Sequence, residues 1–178
     1  MIRNLAVCLT ALLIPACSQD HHAEVQRMPD SIADINYGNG HPLARNAAQD
    51  AGLEQAHVDA VNAWRASQGL PAFQRCSALD AIARAYSEHE SIESFFAHQD
   101  PEGDYLAGRC LLASGIQMVA SCENLFVGFD PSPSNVLTLF LGSPGHLANL
   151  QQTTANTLGV GTYYDGTYTF VTYEFIWR

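Results

Sequence analysis

Phe140-Leu141-Gly142-Ser143-Pro144-Gly145-His146-Leu147-Ala148-Asn149-Leu150 divides the chain into a helical half before it and a β-rich tail behind it. Ser143 followed by Pro144 reads as a helix start. Ser is a favoured N-cap, and Pro at the first helical position has its φ preset and forfeits no hydrogen bond. His146 then falls in the first turn, where the positive end of the helix dipole lowers an imidazole pKa and favours the neutral, ligand-competent form. Two other stretches can supply its partners: Phe95-Phe96-Ala97-His98-Gln99-Asp100-Pro101 and Cys122-Glu123-Asn124-Leu125-Phe126-Val127-Gly128. Each sets one metal-competent side chain, His98 or Glu123, among apolar neighbours, the makeup of a small polar site in a hydrophobic wall.

Behind the motif, residues 158–164, the turn Asp165-Gly166 and residues 167–177 read as a β-hairpin rich in Tyr, Thr, Val and Phe. Its aromatic residues are expected to form core on one face and hairpin surface on the other. Ahead of it, Leu53, Val61 and Trp64 recur at helical spacing within residues 49–67, with His57 on the same stripe. Gly69 stops that helix and Leu70-Pro71 turns the chain. A second helix begins near Ser77, its buried face marked by Leu79, Ile82, Ala83 and Tyr86. His89 continues that face as an interior histidine, and Glu88 and Glu90 flank it on the solvent sides. Asp100-Pro101-Glu102-Gly103 is a turn, residues 104–114 are a further candidate helix, and residues 122–127 a short buried strand. After the stiff loop at residues 130–134, Asn135 can cap a third helix over residues 136–141. Helices around a small antiparallel sheet place the chain in the α+β class.

The chain has 178 residues, 47% of them hydrophobic and 15% charged, enough for one globular domain and a tail. Its net charge of −10 sets 18 acidic residues against eight arginines, with no lysine. Nucleic-acid binding needs a basic stripe, and the sequence provides none.

Residues 1–17 read as an export signal: Arg3 precedes an apolar run too short to remain as a membrane span. The run ends in Leu13-Ile14-Pro15-Ala16-Cys17-Ser18, which resembles a bacterial lipobox. On that reading Cys17 is the lipidated N-terminus, anchored to a membrane and not embedded in it. Ser18 after it points to the outer membrane, and Pro15 leaves a plain secretory signal open. Residues 18–48 are polar and form a tether, leaving residues 49–178 as the domain. In an oxidising compartment Cys110–Cys122 is the expected disulfide, since it closes a short loop just before Glu123, with Cys76 as a buried thiol. Spacing alone leaves Cys76–Cys110 open.

The ordered set Val61-Asn62-Ala63-Trp64-Arg65, Gly69-Leu70-Pro71, Phe96-Ala97-His98, Asp100-Pro101, Glu123-Asn124-Leu125, Ser143 to Leu150 and Gly159-Val160-Gly161 resembles the CAP superfamily. This is the SCP-like domain of cysteine-rich secretory, antigen 5 and pathogenesis-related proteins, and the likeness spans roughly residues 55–177. It implies an α–β–α sandwich with a cleft holding two histidines and acidic partners. Carried over, His98 and His146 are the pair able to take zinc or another divalent cation, with Glu123, Asn124 and Ser143 beside them. The second glutamate that many relatives carry just before the second histidine is replaced here by Ser143, and their tryptophan by Phe140.

That replacement bears on function. Metal hydrolases hold their ion with three protein ligands, and Glu123 can brace an imidazole N–H or act as a base but hardly both. With its hydroxyl expected in the helix cap, Ser143 is no convincing nucleophile. The sequence therefore favours a non-catalytic, envelope-anchored module binding an apolar molecule, a lipid or a partner protein segment, with an optional divalent ion. The alternatives are a metal-assisted peptidase or esterase of the envelope using Glu123, and a structural or adhesion factor.

Overall fold

A computed structural model describes residues 51–101 and 120–177. The leader, Cys17, the tether, Cys110 and the candidate helix at 104–114 lie outside the described residues. In chain order the elements are α1 (Ala51–Ser67), β1 (Gln74–Arg75), α2 (Ser77–Ile92), β2 (Ala120–Gly128), α3 (Pro133–Leu141), α4 (Pro144–Leu150), β3 (Thr157–Tyr164) and β4 (Thr169–Trp177). The strands form one sheet in the order β1-β3-β4-β2, antiparallel except where β1 runs parallel to β3. The architecture is α+β, as expected, and it departs from the sequence reading in several details.

The two-residue β1 was not foreseen, and β2 extends beyond the expected 122–127 at both ends. α3 begins at Pro133 with Ser132, not Asn135, in the N-cap position. Proline's preset φ starts the helix earlier, and Asn135 Nδ2 donates to the Asp130 carbonyl 2.7 Å away. Cys76 is half-buried at the N-cap of α2 instead of fully buried.

Alternation along the strands splits the interior into two cores. Leu158, Val160, Val171, Tyr173 and Phe175 face α1 and α3 and join Val58, Val61, Val136 and Phe140. On the opposite face Leu125 and Ile176 meet Leu79, Ile82 and Tyr86 of α2. The hairpin is thus covered on both sides, and Thr169 to Ile176 are all buried. This corrects the expectation of a solvated hairpin face: α2 covers it.

α2 can lie so close because β3 carries Gly159 and Gly161. A Cβ on Gly159 would stand 2.5 Å from the Leu79 carbonyl carbon, and one on Gly161 would overlap the backbone of Ala83 and Arg84. Beyond the short β1, the Val160 N–H is taken by Asp80 Oδ1 at 2.9 Å, while Asp80 Oδ2 accepts from Arg75 Nε at 2.9 Å. Glu54 of α1, fully buried, accepts from Arg84 Nε at 2.5 Å and Arg75 Nη2 at 3.1 Å. These ion pairs tie α1, β1, α2 and the free side of β3 together.

Two residues of the Val61–Arg65 stretch place the segments that follow. Asn62 donates to the Phe73 carbonyl at 3.0 Å and accepts from its N–H at 2.8 Å. Arg65, fully buried, donates to the carbonyls of Pro71 at 2.7 Å and Leu150 at 2.6 Å, its guanidinium 3.7 Å from the Phe73 ring centre. The Leu150 bond caps the last turn of α4, so α1 fixes the far end of the helix that carries His146.

Gly161→Ala tests the helix–sheet approach. Because the added methyl meets backbone and not a movable side chain, we expect a loss of about 3 kcal/mol or more, read as a lower urea midpoint. A midpoint within error of wild type would contradict the contact.

Candidate functional site

The site sits where the loop after α2, the middle of β2 and the start of α4 converge. Tyr86 and Glu90 lie one turn apart on α2. The Tyr86 hydroxyl donates to the Ala97 carbonyl at 2.5 Å, which fixes the peptide just before His98. His98 Nδ1 then lies 2.6 Å from Glu123 Oε1. The His98 side chain is 39% exposed and that of Glu123 only 12%, so the imidazole stands at the opening and the carboxyl behind it.

α4 brings the second imidazole. Asn149, one turn after His146, donates to the Glu123 carbonyl at 3.1 Å and to Asn124 Oδ1 at 2.8 Å. Asn124 Nδ2 in turn donates to the His146 carbonyl at 3.2 Å. The two asparagines lock the first turn of α4 to β2, which places His146 relative to Glu123. The His146 ring meets the edge of Phe140 at 4.8 Å between centres, and Phe140 meets Tyr173 at 5.0 Å. Tyr173 continues to the buried His57, its hydroxyl 2.6 Å from Nδ1.

The structure thus sets His98 against Glu123 and Asn124 against the main chain of His146. Ser143 occupies the N-cap position of α4, with φ −108° and ψ 117°, but its side chain makes no capping hydrogen bond. Its carbonyl accepts from Leu147 N–H at 2.8 Å, so the main chain closes the turn. The expectation of a hydroxyl engaged in the cap is corrected. Among the described residues no hydrogen bond joins that hydroxyl to an imidazole or a carboxylate, so it still lacks an activating base.

Two further acids escaped the sequence reading. Glu174 of β4 is the direct cross-strand partner of Glu123 and is 2% exposed. Glu90, expected on a solvent side of α2, is fully buried. Burial pushes the Glu90 carboxyl well above the usual carboxylate range, and the nearby Glu123 pushes it further. Glu123 is pushed up to about 8, chiefly by burial, while its hydrogen bond to Glu174 acts the other way. Glu174 is raised well above its ordinary value by burial first and by Glu123 second.

The imidazoles move in the opposite sense. His146 is lowered to about 4 by burial and then by repulsion from His98. His98 is lowered by burial, with Glu174 opposing. Both rings are neutral at pH 7, and a neutral imidazole has a lone pair to offer. Among the described residues no three His, Cys, Asp or Glu side chains converge as a ready ion cage. The polar side chains seen here are two neutral imidazoles, one of them against Glu123.

Comparison with known proteins fits this arrangement. The model of the cysteine-rich secretory protein family, CAP, matches residues 58–177. The chain belongs to the CAP family. Uncharacterized protein YkwD of Bacillus subtilis (strain 168) is 31% identical over 109 residues, which are 61% of this chain and 41% of that protein. An extracellular SCP-domain protein of Bacillus anthracis superposes with a TM-score of 0.64 at 27% identity, over 71% of this chain and 41% of that one. An outer surface protein of Borrelia burgdorferi superposes with a TM-score of 0.63 at 15% identity, over 72% of this chain and 94% of that one. The CAP chain described here thus spans about two fifths of the length of the two Bacillus proteins it matches.

The charges of this CAP domain set its pH response. His57 and His146, both near 4 when folded against an ordinary 6.5, bind more protons unfolded, so they withdraw stability as pH falls from about 6.5 towards 4. The raised carboxyls bind more protons folded, so they withdraw stability as pH rises above 4.5, Glu123 until about 8. Above 6.5 these histidines contribute no slope. In chelator-treated protein the urea midpoint should therefore fall between pH 6.5 and 8.5, and Glu123→Gln should flatten that fall. A midpoint that rises over this interval would contradict the buried acids.

Proposed function

We propose that this CAP protein is exported, held to a membrane through a lipidated Cys17, and works as a non-catalytic binding module. Its His98/His146 cleft would take a divalent ion such as zinc together with an apolar ligand, a lipid or a segment of an envelope protein. Export is supported by the leader and by the matched Bacillus anthracis protein, whose description is extracellular. The observation that carries the binding reading is the 2.6 Å contact of His98 Nδ1 with Glu123 Oε1 beside a neutral His146. With Nδ1 held from behind, the other ring nitrogen of His98 is the one left to coordinate. A bound ion would supply Lewis acidity and an attachment point, the remaining positions being filled by solvent or by the ligand. Phe140 against the His146 ring supplies an apolar wall.

A second reading, a metal-assisted peptidase or esterase of the envelope, is favoured by one observation. A carboxyl at about 8 next to an imidazole is poised for general acid–base work near neutral pH.

Titration calorimetry with zinc separates the outcomes. The wild-type protein should bind, and the double variant His98→Ala/His146→Ala should not. Equal heats for the two proteins would remove the metal claim. If envelope peptides or esters are turned over in a chelator-sensitive way, and Glu123→Gln abolishes turnover with the fold intact, the hydrolase reading replaces it.

A further inference from the structure

The row of side chains that β2 and β4 turn towards α2 runs out into solvent at the hairpin end. Register and alternation set Glu123 beside Glu174, Leu125 beside Thr172 and Val127 beside Phe170 in that row. Phe170 is still buried. The next two rings, Phe129 and Tyr168, lie just past the last ladder pair, Gly128 and Thr169, and are 72% and 41% exposed. Their ring centres stand 4.7 Å apart, the planes tilted by 39°. A cross-strand ring pair steadies the end of a ladder, yet this one leaves most of a phenylalanine in water.

Carboxylates rim the pair. Asp130 follows Phe129 directly and accepts from Ser132 N–H at 3.0 Å, which holds its carboxyl below its ordinary value. Asp165 faces Tyr168 across the turn: its N–H donates to the Tyr168 carbonyl at 3.1 Å, and its Oδ1 accepts from the N–H groups of Thr167 and Tyr168, each at 2.7 Å. Both aspartates are exposed. The arginines among the described residues are engaged elsewhere, Arg65 on the Pro71 and Leu150 carbonyls, Arg75 and Arg84 on Glu54 and Asp80. A lipid surface laid on the rings would press both carboxylates against headgroups with no counter-charge. A basic residue next to an apolar one suits the whole patch, its cation over a ring face and within reach of a carboxylate.

We propose that Phe129 and Tyr168, with Asp130 and Asp165, form a docking surface for a cationic segment of a partner protein, in which arginine or lysine alternates with apolar residues. The rings receive the apolar side chains and the aliphatic stems of the basic ones, and the carboxylates receive the charged heads. Gly128 lies about 17 Å along β2 from Glu123, so this surface is separate from the His98/His146 cleft and does not rest on the reading of that cleft.

A chain with a net charge of −10 attracts any cation, so the test must read position as well as affinity. The full chain, labelled with nitrogen-15, is titrated with the peptide acetyl-Arg-Leu-Arg-Leu-Arg-Leu-amide and followed by NMR. Amide shifts should centre on Phe129, Asp130, Asp165 and Tyr168. Phe129→Ser/Tyr168→Ser should weaken binding about tenfold or more. Asp130→Asn/Asp165→Asn keeps the oxygens that accept from the main chain and removes only the charge, and it should weaken binding by a similar factor. His98→Ala/His146→Ala should bind as wild type does. The same peptide with citrulline in place of arginine should not bind. No binding of the arginine peptide, shifts scattered over the acidic surface, or an affinity unchanged in the ring variant would overturn the proposal. Equal binding of the citrulline peptide would overturn it too, since the carboxylates would then select nothing. Co-sedimentation with phosphatidylcholine vesicles that the ring variant abolishes, without peptide binding, would assign the face to a lipid surface instead. Should the ring variant fail to fold, the two asparagine substitutions and the citrulline peptide decide.

Discussion

The structure turns on how closely α2 lies against β3. Two glycines, 159 and 161, let a helix backbone rest where side chains would otherwise hold it off. The contact seals the second face of the sheet, and everything beneath the far half of α2 becomes dry. Glu123 and Glu174 fall there because strand alternation sends them to the same side, opposite each other across β2 and β4. Glu90 falls there because it lies one turn beyond Tyr86 on the buried side of α2. Close helix–sheet packing and a water-poor acidic floor are therefore one feature seen twice.

Most of the frame was legible from local patterns. The hairpin declared itself through Asp165-Gly166 between runs of Tyr, Thr, Val and Phe, and α1 and α2 through apolar residues at helical spacing. The ordered motifs drew His98, Glu123 and His146 to one place before any coordinates. β1 could not be read, since two residues carry no period. Glu174 was missed for a sharper reason: an acid at an alternating position of an amphipathic strand looks like a solvent-facing residue. Only the helix lying over that face makes it interior. Glu90 failed in the same way, because Glu88 and Glu90 flank the buried stripe of α2 and propensity treats them alike. One is covered by the loop and β2, a tertiary fact absent from helix periodicity. The cap of α4 was read correctly in backbone and wrongly in side chain, since a Ser-Pro start settles φ and not the rotamer of the serine.

The buried polar groups divide by the kind of order they impose. Asn62, Arg65, Asn124 and Asn149 bind backbone carbonyls or amides and fix where segments lie. Their partners are neutral peptide groups, so these bonds hold at any pH at which the protein folds. Glu123, Glu174, Glu90 and His98 bind or press on one another, and their protons are shared among groups whose ionised forms the interior disfavours. The first set makes a rigid seat, which lets the second be electrostatically strained without moving.

That strain has a direction. His98 and His146 are held neutral by burial, His146 also by repulsion from His98, and Glu123 keeps its proton to about 8, so at neutral pH these groups carry almost no formal charge. An ordinary surface pair of imidazole and carboxylate would sit near neutrality as an ion pair with its own attraction already satisfied. Here the imidazoles keep their lone pairs and the acid keeps a proton it can release. A positive group arriving at the imidazoles would be met by a carboxyl whose ionisation it favours, through an oxygen already hydrogen-bonded to the ring. The cost of burying the acids is borne by the fold, which keeps neutral imidazoles in front and a protonated carboxyl behind them.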